Sequence, residues 1–276
     1  MKITTMKQPT AMSKYILTIM MMLAGILSCA ASEIEAADSA YYKGNYDEAA
    51  ALYSEVMERE GISAGLLYNL GNAYYKLGRT GEAMVCYERA RKLEPGNKAI
   101  NQNLNFLRQR VTDANKGALQ GKQGNVEPDQ DTFIEGLYRM IAWDTKSNNW
   151  AVFAVMAFII FLGAMALYMF TPNVLARKTG FFSGLVFLGF TIIFIIFAYL
   201  GAANYDRQDQ AVLMDFTTEL LEQPDTKSTP ASTPLHKGTK LKILESKTGD
   251  DGTEWLKVKL NSNNVGWVKK EGIEVI

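Results

Sequence analysis

Two apolar runs, Trp150 to Phe170 and Phe181 to Leu200, are separated only by the short stretch 171–180. A helix rises about 1.5 Å per residue, so each run is long enough to cross a hydrocarbon layer roughly 30 Å thick. Arg177 and Lys178, both in the connection, are the only charges between Trp150 and Leu200. The pattern predicts a transmembrane hairpin with helices at 150–170 and 181–201 and a turn at 171–180. Basic residues are concentrated in cytoplasmic loops, so the turn is expected in the cytoplasm and the flanking segments together on the opposite face. Gly180 and Gly184 form a small-xxx-small pair, and Gly163, Ala164 and Ala166 add small residues to the first helix. Such residues let two helices approach closely. Neither run carries an Asp, Glu, Lys, Arg or His to mark a proton or substrate path, so a pump or transporter is not expected.

The N-terminus fits the same orientation. Lys2, Lys7 and Lys14 precede an apolar stretch, Tyr15 to Leu27, followed by small residues up to Ser32. Residues 1–31 read as a secretory signal, cut after Ala30 or Ala31. Cys29 leaves lipidation open, although Leu27 is bulky where a lipobox carries a small residue; Met6 and Met12 are alternative starts. The expected location is a bacterial inner membrane, crossed more than once, with the soluble parts in the periplasm. The chain has 29 basic and 29 acidic side chains, so no basic face points to nucleic acid. With Cys29 removed, Cys86 stands alone. It is either a small apolar residue packed in a helix or a low-pKa oxidant sensor.

Residues 32–111 contain an internal repeat. At a shift of 34, Gly44, Asn45, Glu48, Ala49 and Tyr53 fall on Gly78, Arg79, Glu82, Ala83 and Tyr87. Leu67, Leu70, Gly71 and Tyr74 share one helical face, and Ala83, Tyr87 and Ala90 share another, with Gly78 suited to the turn between and Pro95 ending the second helix. The stretch Leu67 to Pro95 resembles the tetratricopeptide repeat, whose period is about 34 residues. A first copy spans about Glu33 to Gly61, and Asn97 to Val111 reads as a capping helix or an incomplete third unit. The resemblance implies an extended peptide or protein ligand gripped by first-helix positions, here Asn69, Asn72, Lys76 and Asn103. Amides at these positions suit a ligand's backbone and the lysine a carboxylate. The other reading is an ordinary solvated helix face.

Residues 112–132, with Gly117, Gly121, Gly124 and Pro128 among polar residues, are expected to form a flexible linker. In 133–149, Phe133, Leu137, Met140 and Ile141 lie on one helical face that ends near Trp143. Two readings are open: a helix lying in the membrane interface, or one packed on the repeats.

Residues 202–276 alternate in short strands: Ala211–Met214, Glu219–Leu221, Lys240–Glu245, Glu254–Leu260 and Val265–Lys269. Turn residues such as Lys237-Gly238, Gly249 to Gly252 and Asn261 to Asn264 separate them. This is the pattern of a small β-barrel. His236 to Ile243, Trp255-Leu-Lys-Val258 and Val265-Gly-Trp-Val268 make the segment resemble the bacterial SH3-like domain, with a Thr/Ser/Pro-rich insertion at Thr226 to Pro234. The resemblance implies a peptide or cell-wall glycopeptide ligand. Trp255 and Trp267 are either ligand-stacking residues or barrel core.

The fold class is therefore multidomain: an α-helical tetratricopeptide solenoid, a two-helix transmembrane hairpin and a small all-β SH3-like barrel. This order of parts resembles the Bacteroides aerotolerance protein E (BatE) group. That resemblance implies a membrane complex linked to oxygen or oxidative-stress tolerance, with von Willebrand A domain membrane proteins and a MoxR-type ATPase as partners. The chain has one histidine, His236, no phosphate-binding Gly-rich loop and no His/Cys metal spacing. No catalytic residue, metal or cofactor is expected. The reading is a non-catalytic, bilayer-anchored interaction scaffold; the alternative is a sensor whose barrel binds peptidoglycan.

Overall fold

The computed structural model describes residues 33–118, 127, 133–142, 145–205, 207–232, 234–249 and 252–276. The expected signal segment with Cys29, most of the expected linker, and Trp143 lie outside the described residues. The chain divides into two compact units, one up to Gly78 and one from Arg79 onward.

The first unit holds helices α1 (33–42), α2 (Tyr46–Glu60) and α3 (Ala64–Lys76). Gly44 and Gly78 take positive φ, at 83° and 73°, where a side chain would be strained, and each sits in the turn that ends a repeat's first helix. Ala49, Ala50, Tyr53 and Val56 of α2 are buried, as are Leu66, Leu67, Leu70 and Ala73 of α3, which matches the expected apolar faces. Ser63 caps α3, its Oγ accepting from the Leu66 amide at 3.2 Å.

The second unit opens with α4 (Thr80–Leu93) and α5 (Lys98–Ala118). Ile100, Leu104, Leu107 and Val111 form the buried stripe of α5. The helix continues through residues 112–118, expected to begin the flexible linker. The reason is tertiary: Val111 and Asn115, one turn apart, are both buried, and Asn115 bonds to the C-terminal barrel. Contacts of this kind override the weak helix propensity of Asn and Gly.

Helices α6 (Phe133–Ala142), α7 (Ser147–Phe170) and α8 (Val174–Tyr205) follow. The turn between α7 and α8 is only Thr171 to Asn173, shorter than the expected 171–180. Asn173 Oδ1 accepts from the Leu175 amide at 2.9 Å and so starts α8 early. Arg177 and Lys178 are thereby in the first two turns of a helix rather than in a loop. Glycine seats α8 on α7: a Cβ added at Gly180 would lie 2.8 Å from Ala164 O and 2.9 Å from Tyr168 N, and one at Gly184 would lie 3.6 Å from Ala164 Cβ. The small pair thus serves contact within the hairpin. At the other end Trp150 meets Phe194 and Phe197 with ring centroids 5.9 and 5.1 Å apart. Two helices are long and apolar enough to cross a membrane, and each apolar window is only 11% buried, unlike the core helix of a soluble protein.

The last part is a five-stranded antiparallel sheet of order β6-β5-β4-β1-β7. Its strands are β1 (Gln210–Leu213), β4 (Lys240–Thr248), β5 (Glu254–Asn261), β6 (Asn264–Lys269) and β7 (Ile273–Val275). A short pair, β2 (Thr217–Thr218) and β3 (Leu235–His236), stands beside it. The expected strand at Glu219–Leu221 is instead reduced to isolated bridges at Leu221, one to Pro230 and one in which Leu221 and Trp267 exchange backbone bonds of 2.8 and 2.7 Å, laying that segment along the open edge of β6. Ala211, Leu213, Leu220, Leu235, Leu241, Leu256, Val258, Val268 and Ile273 form the barrel core.

Candidate functional site

Asn69, Asn72 and Lys76 fall at positions i, i+3 and i+7 of α3 and so share one face. Asn69 is already engaged: its Nδ2 donates to Asp38 Oδ1 at 3.4 Å, and the Tyr53 hydroxyl donates to the same oxygen. Burial, then the Asp38 carboxylate, pushes the Tyr53 phenol above its ordinary pKa, so it stays a donor. Asp38 therefore links one side chain from each of the three helices of the first unit. Asn72 is half-buried and Lys76 exposed. Asn103 is half-buried on α5, in the second unit. Three of the four expected groove residues thus share a helix face, and Asn69 among them is tied to Asp38.

Residues missed in the sequence lie beside Asp38. Tyr41 packs edge-on against Tyr42 and Tyr46, with centroids 6.0 and 5.3 Å apart, and Tyr42 is 86% exposed. The available signal was the aromatic density of Tyr41, Tyr42 and Tyr46 around the Gly44 turn.

In the barrel, strand pairing sets Trp255 opposite Lys269 and Trp267 opposite Lys257, on the sheet face away from the core cluster. Both rings are nevertheless enclosed, at 2% and 7% exposure. Lys269 Nζ lies 5.8 Å from the Trp255 centroid and Lys257 Nζ 5.9 Å from that of Trp267. Rings so enclosed favour the barrel-core reading of Trp255 and Trp267 over the ligand-stacking one. Gly266 is required by closeness: a Cβ there would be 2.7 Å from Leu221 O and 2.8 Å from Leu220 Cβ.

The strongest electrostatic feature of the second unit is where the barrel meets α4 and α5. Gly81, Val85, Glu88 and Lys92 line one face of α4. Glu88, 2% exposed, accepts from Arg108 at 2.5 Å, Lys240 at 2.9 Å and Arg91 at 3.3 Å. Burial by itself would raise the Glu88 pKa, but Lys240, Arg108 and Arg91 outweigh it and hold the carboxyl well below the usual range. The Lys237–Gly238 turn enters between the helices: Lys237 Nζ meets Glu82 Oε2 at 3.0 Å, and a Cβ on Gly238 would be 3.1 Å from both Thr80 Cγ2 and Val111 Cγ2. Asn115 accepts from the His236 amide at 2.7 Å and donates to Thr239 Oγ1 at 3.0 Å. Arg89 donates to Glu274 at 2.5 Å and to Val275 O at 3.0 Å.

Cys86 lies on this same helix, buried, and burial pushes its thiol up to about 12. A thiol held protonated is a poor oxidant sensor, so packing is the role its surroundings support. Among the described residues no cluster of His, Cys, Asp or Glu could hold a metal.

Residues 64–97 match the tetratricopeptide repeat family, and residues 221–274 match the GW (Gly-Tryp) dipeptide domain. The Gly-Trp pair is Gly266-Trp267. The chain thus carries a repeat of the protein-interaction type and an SH3-like bacterial domain of the cell-wall-binding type. No curated protein matches the chain.

Proposed function

We propose that this protein is a non-catalytic scaffold anchored in a bacterial inner membrane by α7 and α8, which presents its repeats and barrel on the periplasmic side. The observation that carries the reading is the packing of the barrel on α4 and α5 through Glu88, Lys240 and Asn115. The antiparallel hairpin returns the chain to the end it started from, with Gly201 beside Ser147. Parts made before and after it then join into one body. That arrangement needs an even number of crossings, and the basic pair Arg177 and Lys178 supports a reading with the short turn in the cytoplasm.

α6 lies against α8, with Phe133, Ile134, Leu137 and Met140 exposed and Ile141 buried. It fits a helix resting in the outer interface of the bilayer. In the first unit Asn72, Lys76 and the exposed Tyr42 are the candidate contacts for a protein partner, with Asn69 beside them; Asn103, in the second unit, is a separate candidate. The partners in this reading are von Willebrand A domain membrane proteins and a MoxR-type ATPase of a BatE-like, stress-related complex. Carrying two modules on one chain raises the effective concentration of the second ligand once the first is bound. Crosslinking in intact cells, followed by purification through a C-terminal tag, is expected to recover membrane proteins. Recovery of none sinks the scaffold.

The Gly-Trp domain match favours a second reading, a sensor that binds peptidoglycan. Co-sedimentation of the detergent-solubilised full chain with purified cell wall separates the two: the scaffold stays in solution and the sensor pellets.

A further inference from the structure

We infer that the turn end of the hairpin is a binding site for the headgroup of an anionic phospholipid. The inference rests on the membrane-spanning reading above. A 310 Å³ cavity opens there between the end of α7 and the start of α8, lined by Tyr168, Val174, Arg177, Lys178, Phe181 and Phe182. Its walls are of two kinds. Tyr168, Phe181 and Phe182 form a continuous aromatic surface, with successive centroids 5.7 and 5.5 Å apart. Arg177 and Lys178 form the charged side, the guanidinium carbon lying 5.6 Å from the Tyr168 centroid.

No acidic residue occurs anywhere from Ser147 to Tyr205, so neither helix can neutralise this pair of cations. Both are exposed and neither forms an ion pair with a described residue. The position selects the occupant. The cavity lies where the apolar, outward-facing surfaces of α7 and α8 end, so an anion there would need an apolar tail running down the helices. A phosphodiester meets guanidinium and ammonium together, while acyl chains continue along Phe181 and Phe182. A zwitterionic headgroup brings its own cation into the same space and is disfavoured.

The experiment uses the full chain in detergent micelles, where insertion topology has no influence, with equal amounts of phosphatidylglycerol and phosphatidylcholine. Native mass spectrometry reads the retained lipid. Phosphatidylglycerol should be retained preferentially, the preference falling about fivefold for each cation removed in Arg177→Gln and Lys178→Gln, and persisting in Arg177→Lys. Equal retention of the two lipids, or a preference unchanged in the double glutamine variant, overturns the site. Displacement of the lipid by millimolar inorganic phosphate also overturns it, by reassigning the cations to a free anion. Circular dichroism of each variant confirms the hairpin; if the double variant does not fold, the two single variants decide. Carbonate washing of cell membranes tests the underlying reading separately: release of the wild-type chain refutes the span, whereas a retained chain without lipid preference refutes only the headgroup site.

Discussion

The α7–α8 contact and the contact of α4 and α5 with the barrel solve the same problem by opposite physics. Among the described residues of the hairpin no ion pair takes part, and closeness comes from removing side chains: Gly180 lets two backbones approach to a separation no Cβ tolerates. Between helices and barrel a full carboxylate is withdrawn from water and surrounded by three cations. The first contact is specified by shape and tolerates any apolar surroundings. The second is specified by charge and tolerates almost no partial loss, because each ion is stable only in the presence of the others.

That difference is easiest to break at Glu88. Glu88→Ala leaves Arg91, Arg108 and Lys240 facing one another and should cost about 3–5 kcal/mol, read as a lower denaturation midpoint of barrel tryptophan fluorescence. Replacing Glu88, Arg91, Arg108 and Lys240 together by leucine or methionine should recover most of that loss. If the quadruple variant is no better than Glu88→Ala, charge pairing is not what the single change removed.

Titration tests the same cluster from both sides. Glu88 has a folded pKa below its unfolded one, so its contribution is complete above the ordinary carboxylate range and is lost as pH falls through that range toward the folded value. Lys240 is pushed down to about 8, chiefly by burial, with Glu88 opposing and Arg108 and Arg91 adding to the effect. A cation with a lowered folded pKa costs stability while charged, so the midpoint should rise as pH climbs above 8 toward the unfolded lysine value. Lys240→Met should flatten that alkaline rise, and an unchanged profile refutes the assignment.

The hairpin should respond to size alone. Gly180→Val forces a branched side chain against Ala164 O and Tyr168 N, backbone atoms that cannot swing away, and should cost about 1–3 kcal/mol with no dependence on pH or salt. Gly163→Val, where an added Cβ meets nothing, should be tolerated. Smallest of all, Arg89→Gln removes a half-exposed pair with Glu274 and should cost about 0.2–1 kcal/mol at low salt, less at high salt.

The same contrast explains what the sequence revealed. Long apolar runs and a 34-residue repeat are local signals, so the hairpin, the repeat helices and four of the main strands were legible with shifts at their ends. Leu221 was read as part of a strand because Glu219-Leu-Leu221 is apolar, yet only its backbone pairing with Trp267 involves it in the sheet. The extension of α5 through Asn115 and the pairing of Glu88 with Lys240 were not legible. Both depend on partners more than a hundred residues away, and a lone glutamate in a helix reads as a solvated face. Trp255 and Trp267 were recognised as important in the barrel, but whether a ring on the outer sheet face is open or covered depends on packing that alternation does not encode.

The separation between Glu88 and Lys240, 152 residues with both apolar helices in between, gives the cluster a place in time as well as in space. A ribosome completes α4 and α5 long before it makes Lys240. During that interval Glu88 faces water or a chaperone, with only its two arginines at hand. The last cation arrives after α8, and in the proposed topology it reaches the carboxylate only if the hairpin has returned the chain to the side it left. A chain whose hairpin inserted with one crossing would deliver Lys240 to the wrong compartment, and α4 would keep an unfinished, protease-sensitive surface. In the proposed topology the buried carboxylate is therefore fully partnered only in a correctly threaded chain.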